Sequence, residues 1–147
     1  MTVPASSVRQ LRIVLDSNVL VAALAARGLC AELVQHVLDK HELALSRQIL
    51  AEVQRAMVRK LKLPPERVAE VGQFLQPFVV ADEPPPLAAP LCRDADDDAV
   101  LALAVAVGAA AIVSGDHDLL ALGDAAPVVV LTPRAFWEWE RRLAGEP

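Results

Sequence analysis

Short apolar runs alternate with helix-patterned stretches along the whole chain. That alternation constrains the fold more than any single residue. Residues 11–15, 43–46, 78–80, 110–113 and 128–131 read as strands, each too short and too apolar for a helix of its own. Helical spacing fills the intervals. Ser17 and Asn18 can cap a first helix, and Gly28 ends it. A second helix fits 30–40, with Leu33, Val34, Val37 and Leu38 on one face. Ser46 opens a third, which turns Ile49, Leu50, Val53 and Met57 inward. Pro65 opens a fourth over about 65–76, with Val68, Val71, Phe74 and Leu75 inward. Three consecutive prolines, Pro84, Pro85 and Pro86, exclude helix and central strand from the 82–90 stretch. A fifth helix runs from about 96 to 107 and stops at Gly108. A short turn holds Leu119, Leu120 and Leu122, and a last helix follows the Thr132 cap and Pro133. Strand after helix after strand predicts an α/β fold: a three-layer α/β/α sandwich around a mostly parallel sheet of about five strands.

The chain has 147 residues, 54% of them hydrophobic, and a mean hydropathy of +0.38, which excludes intrinsic disorder. One domain is expected, with its core over about 11–139 and short polar tails. Two cysteines, Cys30 and Cys92, form no CxxC pair and read as small core residues, in keeping with a reducing cytoplasm. Residues 1–10 lack the apolar core of a signal peptide. The most apolar stretch, 99–113, is short of the roughly 20 residues of a spanning helix, so no membrane association is expected. His36, His41 and His117 are scattered and are expected at the surface. Trp137 and Trp139 cannot share one helix face, so one is expected in the core and the other toward a partner.

The acids are not scattered. Asp16 follows the first strand, Ser46 the second, and Ser114 and Asp116 the fourth. Glu52 lies about a turn and a half into the third helix, and Asp94, Asp96, Asp97 and Asp98 crowd the start of the fifth. Ligands of open α/β sheets bind outside the carboxyl ends of the strands. If those ends converge, Asp16, Glu52, Asp97 and Asp116 share one pocket. Converged carboxylates repel unless a cation is present, and an all-oxygen donor set suits Mg²⁺ or Mn²⁺. One or two such ions serve phosphodiester hydrolysis. The plainer readings are capping and helix-dipole compensation for Asp94, Asp96 and Asp98, a cap for Asn18, and helix-surface pairing of Glu52 with Arg47, Arg55 or Arg59.

Four motifs occur in order: Asp16-Ser-Asn-Val, Ser46-Arg-Gln-Ile-Leu-Ala-Glu52, Arg93-Asp-Ala-Asp-Asp-Asp-Ala-Val-Leu-Ala-Leu-Ala104 and Val113-Ser-Gly-Asp-His-Asp-Leu-Leu120. Together they resemble the PIN domain, in particular its bacterial and archaeal branch of toxins from toxin–antitoxin pairs. The resemblance spans residues 11–139. It implies a metal-dependent ribonuclease with Asp16, Glu52, Asp97 and Asp116 as its catalytic acids. Asp98 is the rival register for the third acid, and Asp118 is either a further cation ligand or a residue that shapes the loop. It also implies a polar surround of Asn18, Ser46, Ser114 and Asp94. It further implies a single-stranded RNA substrate cut to a 5′-phosphate and a 3′-hydroxyl, a small cognate antitoxin, and a homodimer.

Substrate backbone needs positive charge outside the acids. Arg55, Arg59, Lys60, Lys62 and Arg67 are the candidates, with a solvated helix end as the alternative. A haloacid-dehalogenase-type phosphatase would have a second Asp where Asn18 stands. A receiver domain would need a Lys after a late strand, and none occurs between Arg93 and Arg134. A phosphate-binding Gly-rich loop is missing. The remaining rival is a non-catalytic PIN-fold module that binds RNA or protein. The net charge of −5 does not weigh against RNA. Eight of the nineteen acids belong to the proposed pocket and its rim, and the fourteen Lys and Arg outnumber the rest.

Overall fold

The computed structural model describes residues 9–145, so most of the stretch read as lacking a signal peptide lies outside the described residues. Five strands form one all-parallel sheet: β1 (Arg12–Leu15), β2 (Glu42–Ser46), β3 (Val79–Ala81), β4 (Ala111–Val113) and β5 (Val129–Leu131). Their order is β3-β2-β1-β4-β5. The helices are α1 (Ser17–Ala25), α2 (Leu29–Lys40), α3 (Arg47–Arg59), α4 (Pro65–Leu75), α5 (Ala95–Val107), α6 (His117–Leu120) and α7 (Pro133–Leu143). The fold is a three-layer α/β/α sandwich. Helix α1 packs against both α2 and α3, α4 packs against α3, and α7 joins them through α2, whereas α5 packs against β1 to β4.

Burial explains why β1 reads as continuously apolar. Ile13, Val14 and Leu15 are fully buried, as a strand covered on both faces requires. Each fully buried aliphatic side chain contributes about 1.5–3 kcal/mol. On α3 the four expected inward residues, Ile49, Leu50, Val53 and Met57, are all buried. The Pro65 start of α4, the Thr132 cap of α7 and the left-handed Gly108 stop of α5 (φ 65°) also stand where the sequence puts them.

Several expectations are corrected. Asp16, not Ser17 or Asn18, caps α1, so Ser17 and Asn18 lie inside that helix. Phe74 is 57% exposed and packs near Phe78. Val71 and Leu75 turn to the core instead, because α4 covers only the edge of the layer beside α3. Trp137 and Trp139 both pack against the core, flanking the buried ring of Phe136. Their rings are large enough to reach the core from either side of that residue.

His41 is buried, and His36 is only partly exposed. The Leu11 N–H donates to His41 Nδ1 at 3.0 Å, which leaves Nε2 as the protonated nitrogen. That Nε2 donates to Glu140 Oε2 at 2.6 Å, and His36 Nε2 reaches the same oxygen at 2.6 Å. The Glu140 carboxylate ties α7 to α2 and its C-cap, and His41 in turn ties both to the residue before β1. The separation in sequence (36, 41 and 140) hides the arrangement from any periodicity argument.

Among the described residues no single helix is long and apolar enough to cross a membrane.

Candidate active site

Strand register brings the first two acidic ends together. Leu15 pairs with Val113, so Asp16 and Ser114 emerge side by side. The Asp16 N–H donates to Val113 O at 3.0 Å, which continues the ladder one residue past β1. Asp16 is a buried carboxylate, and each of its oxygens has donors. Oδ1 accepts from the Ser17 N–H at 2.8 Å. Oδ2 accepts from Ser114 Oγ at 2.8 Å and from Asn18 Nδ2 at 3.1 Å. Asn18 in turn accepts the Gly115 N–H at 2.9 Å, and Ser114 Oγ accepts the Asp116 N–H at 2.9 Å. These bonds lock the turn after β4 against the turn after β1. Burial raises the Asp16 pKa. The Ser114 and Ser17 hydrogen bonds oppose that rise, and the charges of Glu52 and Asp116 add to it.

Glu52 reaches the same corner from α3. Ser17 Oγ donates to its Oε2 at 2.8 Å, and Gln48 Nε2 donates to its Oε1 at 3.1 Å. Gln48 also donates to Asp96 O at 3.3 Å, joining α3 to the start of α5. Neither Ser17 nor Gln48 stands out as a partner of these acids in the sequence. The Gln48–Glu52 spacing of four on a helix was the available signal; the Ser17 contact spans 35 residues and had none.

The third acid shows which helical phase faces inward. Single carboxylate oxygens of Asp97, Asp116 and Asp118 all lie within 4.8 Å of one another. Burial, reinforced by the charges of Asp116, Asp94, Asp16 and Asp118, raises the Asp97 pKa to about 6. Asp98, expected as a cation ligand, turns the other way. Its Oδ1 accepts from the N–H groups of Leu91, at 3.1 Å, and Cys92, at 2.9 Å. Neighbouring residues on an α-helix point about 100° apart, so only one of the pair can face the cluster.

The other expected site residues divide. Asp94 caps α5, accepting the Asp96 N–H at 2.9 Å, and remains close enough to act on Asp97. Ser46 does not join the acids: its Oγ accepts the Ile49 N–H at 3.2 Å as the cap of α3. Asp116 caps α6, and Asp118 pairs with Arg93 at 3.0 Å. His117 is exposed. Burial, with Asp98, Asp97 and Asp118 nearby, pushes the Cys92 thiol up to about 11, so it is a neutral thiol at pH 7 and no nucleophile.

A groove of about 420 Å³ opens beside Glu52, lined by Ser17, Asn18, Arg55, Arg59 and Lys60 among others. Three of the five expected basic residues therefore flank the acids. Lys62 lies past the end of α3, outside that groove. Arg67 pairs with Glu70 at 3.4 Å and lines a separate apolar groove between α1, α2 and α4. Both are close in sequence to the other three, but the turn between α3 and α4 carries them away.

The residues present suit a divalent cation. Their donors are carboxylate oxygens, burial together with the neighbouring acids raises the pKa values of Asp16 and Asp97, and hard oxygen sets prefer Mg²⁺ or Mn²⁺ to zinc.

Comparison with known proteins agrees with this geometry. No curated protein matches the chain. Among solved structures, its fold is similar to a chain in the crystal structure of VapBC2 from Rickettsia felis bound to a DNA fragment from their promoter. The TM-score is 0.56 at 15% identity, over 83% of this chain and 98% of that one. The family model described as PIN domain matches residues 12–118, from the first residue of β1 to the last acid of the cluster. The chain belongs to the PIN domain family, whose members are generally nucleases.

Proposed function

We propose that this protein is a divalent-cation-dependent ribonuclease that hydrolyses single-stranded RNA and serves, in the cytoplasm, as the toxin of a toxin–antitoxin pair. The reading takes residues 11–139 as one catalytic unit. The observation that carries it is the gathering of Asp16, Glu52, Asp97 and Asp116 at the C-terminal edge of the sheet, where Glu52 and Asp116 lie near enough to act on Asp16, and Asp116 and Asp16 near enough to act on Asp97.

Asp16, Asp97, Asp116 and Asp118 would hold Mg²⁺ or Mn²⁺, with Glu52 completing the set. A bound cation of this kind polarises a phosphoryl oxygen and acidifies water. The chain supplies the rest. Ser114 and Asn18 fix the Asp16 carboxylate, and Ser17 and Gln48 fix Glu52. Arg55, Arg59 and Lys60 bind the phosphate backbone in the adjoining groove. Aromatic residues are 3% of the chain and none lines that groove, so backbone contacts outweigh base stacking. The products are a 5′-phosphate and a 3′-hydroxyl.

The partners of the proposal are a small cognate antitoxin that blocks the site and a second copy of the chain. The shared fold with a component of the VapBC2 assembly supports the antitoxin. Co-expression with the product of the adjacent gene, followed by size-exclusion chromatography with light scattering, tests both.

The decisive experiment is cleavage of an end-labelled single-stranded RNA in Mn²⁺ or Mg²⁺, with a chelator control. Asp16→Asn is expected to lower the rate about 100-fold or more, because cation chemistry contributes several kcal/mol to such barriers. A parent without cation-dependent cleavage, or an Asp16→Asn variant as active as the parent, overturns the enzyme in favour of a binding module.

A further inference from the structure

We propose that Arg93 contacts a phosphate of the substrate, on the opposite side of the acid cluster from the Arg55–Arg59–Lys60 groove; the inference rests on the ribonuclease reading above. Strand order fixes the two sides. Glu52 and the groove belong to α3, which follows β2, and Asp118 belongs to α6, which follows β4. In the sheet β2 and β4 flank β1, whose end carries Asp16. A strand of RNA crossing the carboxylates thus leaves one basic flank and needs another. Arg93 holds Asp118 at 3.0 Å, so it stands on that second flank.

The contacts of Arg93 differ from those of an arginine serving structure. Arg12 uses Nε and Nη2 on Glu42 and Nη1 on the carbonyl of Val107, which leaves little of its fork free. Arg93 uses Nη2 alone, shared between the two oxygens of Asp118 at 3.0 and 3.3 Å. Its side chain is 89% exposed, more than any other arginine in an ion pair among the described residues. An exposed pair of this kind contributes little to stability. The remaining N–H donors of a guanidinium form a planar fork suited to phosphate oxygens.

The root of the side chain is nevertheless fixed. Cys92 N–H is held by Asp98 at 2.9 Å, and Asp94 caps α5. With its backbone already fixed and one nitrogen held by Asp118, the side chain has less freedom left to lose on taking a phosphate than an unpaired arginine would. The site also requires charge there. Asp94, Asp116 and Asp118 lie near Asp97 at that end of the cluster, and no other Lys or Arg lies between Arg67 and Arg134 in sequence.

The test is fluorescence anisotropy of a labelled single-stranded oligoribonucleotide in Mn²⁺ over a range of KCl, with the protein in an Asp16→Asn background so that the RNA stays intact. Adding Arg93→Ala or Arg93→Gln is expected to weaken binding about tenfold, as loss of one charge-assisted contact implies. It also lowers the slope of log K against log salt by about 0.7, the signature of one lost phosphate contact on a single strand. Arg93→Lys keeps the slope and recovers part of the affinity. If Arg93 only braces Asp118, the Ala and Gln variants change the melting temperature and leave the slope alone, which overturns the inference. Cleavage by the parent together with an unchanged slope overturns this inference only. Absence of both cleavage and binding by the parent overturns the ribonuclease reading with it.

Discussion

Asp97 is where one residue's environment has the clearest measurable consequence. Its carboxyl titrates near 6 in the folded protein, against about 3.8 for a free aspartate, because it is desolvated beside other acids. Between those values the folded chain binds more protons than the unfolded one. Stability therefore falls as pH rises through that window, and the penalty is complete above about pH 6. Cation-free Asp97→Asn protein is expected to melt above the parent at about pH 7.5, with the gap closing by about pH 4. A gap independent of pH would show that Asp97 is not the strained group. Competition between proton and cation gives a second expectation: Mn²⁺ affinity, followed by calorimetry, rises with pH through about 6 in the parent and loses that rise in Asp97→Asn.

At the scale of elements, two helices carry separable tasks. Helix α3 turns one face to the core through Ile49, Val53 and Met57 and another to the groove through Arg55 and Arg59. Arg55→Ala and Arg59→Ala are each expected to reduce the salt slope of RNA binding by about 0.7, whereas Lys62→Ala and Arg67→Ala leave it unchanged. Equal effects from all four would mean that net charge, not the groove, does the binding. Helix α7 is held through Glu140, whose single oxygen serves both His36 and His41. Glu140→Ala leaves the buried His41 Nε2–H without an acceptor, at a cost of about 1–3 kcal/mol plus any loss of packing. Chemical denaturation measures that cost. Because the cluster stands apart from the catalytic acids, cleavage by the folded fraction stays at the parent level.

Across the whole molecule, the sheet concentrates like charge at one edge, and a ligand cation couples that edge to global stability. A cation at a hundred times its Kd adds about 2.7 kcal/mol. For a chain of this size that is about 5–10 °C in melting temperature. Mg²⁺ or Mn²⁺ is expected to produce that rise, EDTA to reverse it, and Asp116→Asn to shrink it. A melting temperature indifferent to both cations would count against the carboxylates as their site. The same concentration of charge explains how an acidic protein can accept RNA: most of the excess lies in the cluster and its rim, while the groove beside it is basic.

The alternation of strands and helices, the strand-end acids and the helix faces of α3 were legible from the sequence, because they depend on local periodicity and on the rule that sites form at strand ends. Choosing Asp97 over Asp98 was not. One residue of helical phase decides it, and that phase follows from Asp94 as the cap and from the backbone of Leu91 and Cys92, which claims Asp98. The same holds for Ser46, whose hydroxyl is spent on capping, and for Lys62 and Arg67, which the turn after α3 removes from the groove. The clasp of His36, His41 and Glu140 joins residues up to 104 positions apart, and the contact of Ser17 with Glu52 spans 35. Local sequence determined which residue types end each element; only tertiary packing decided which of them meet, because hydrogen bonds and Coulomb interactions act through space and not along the chain.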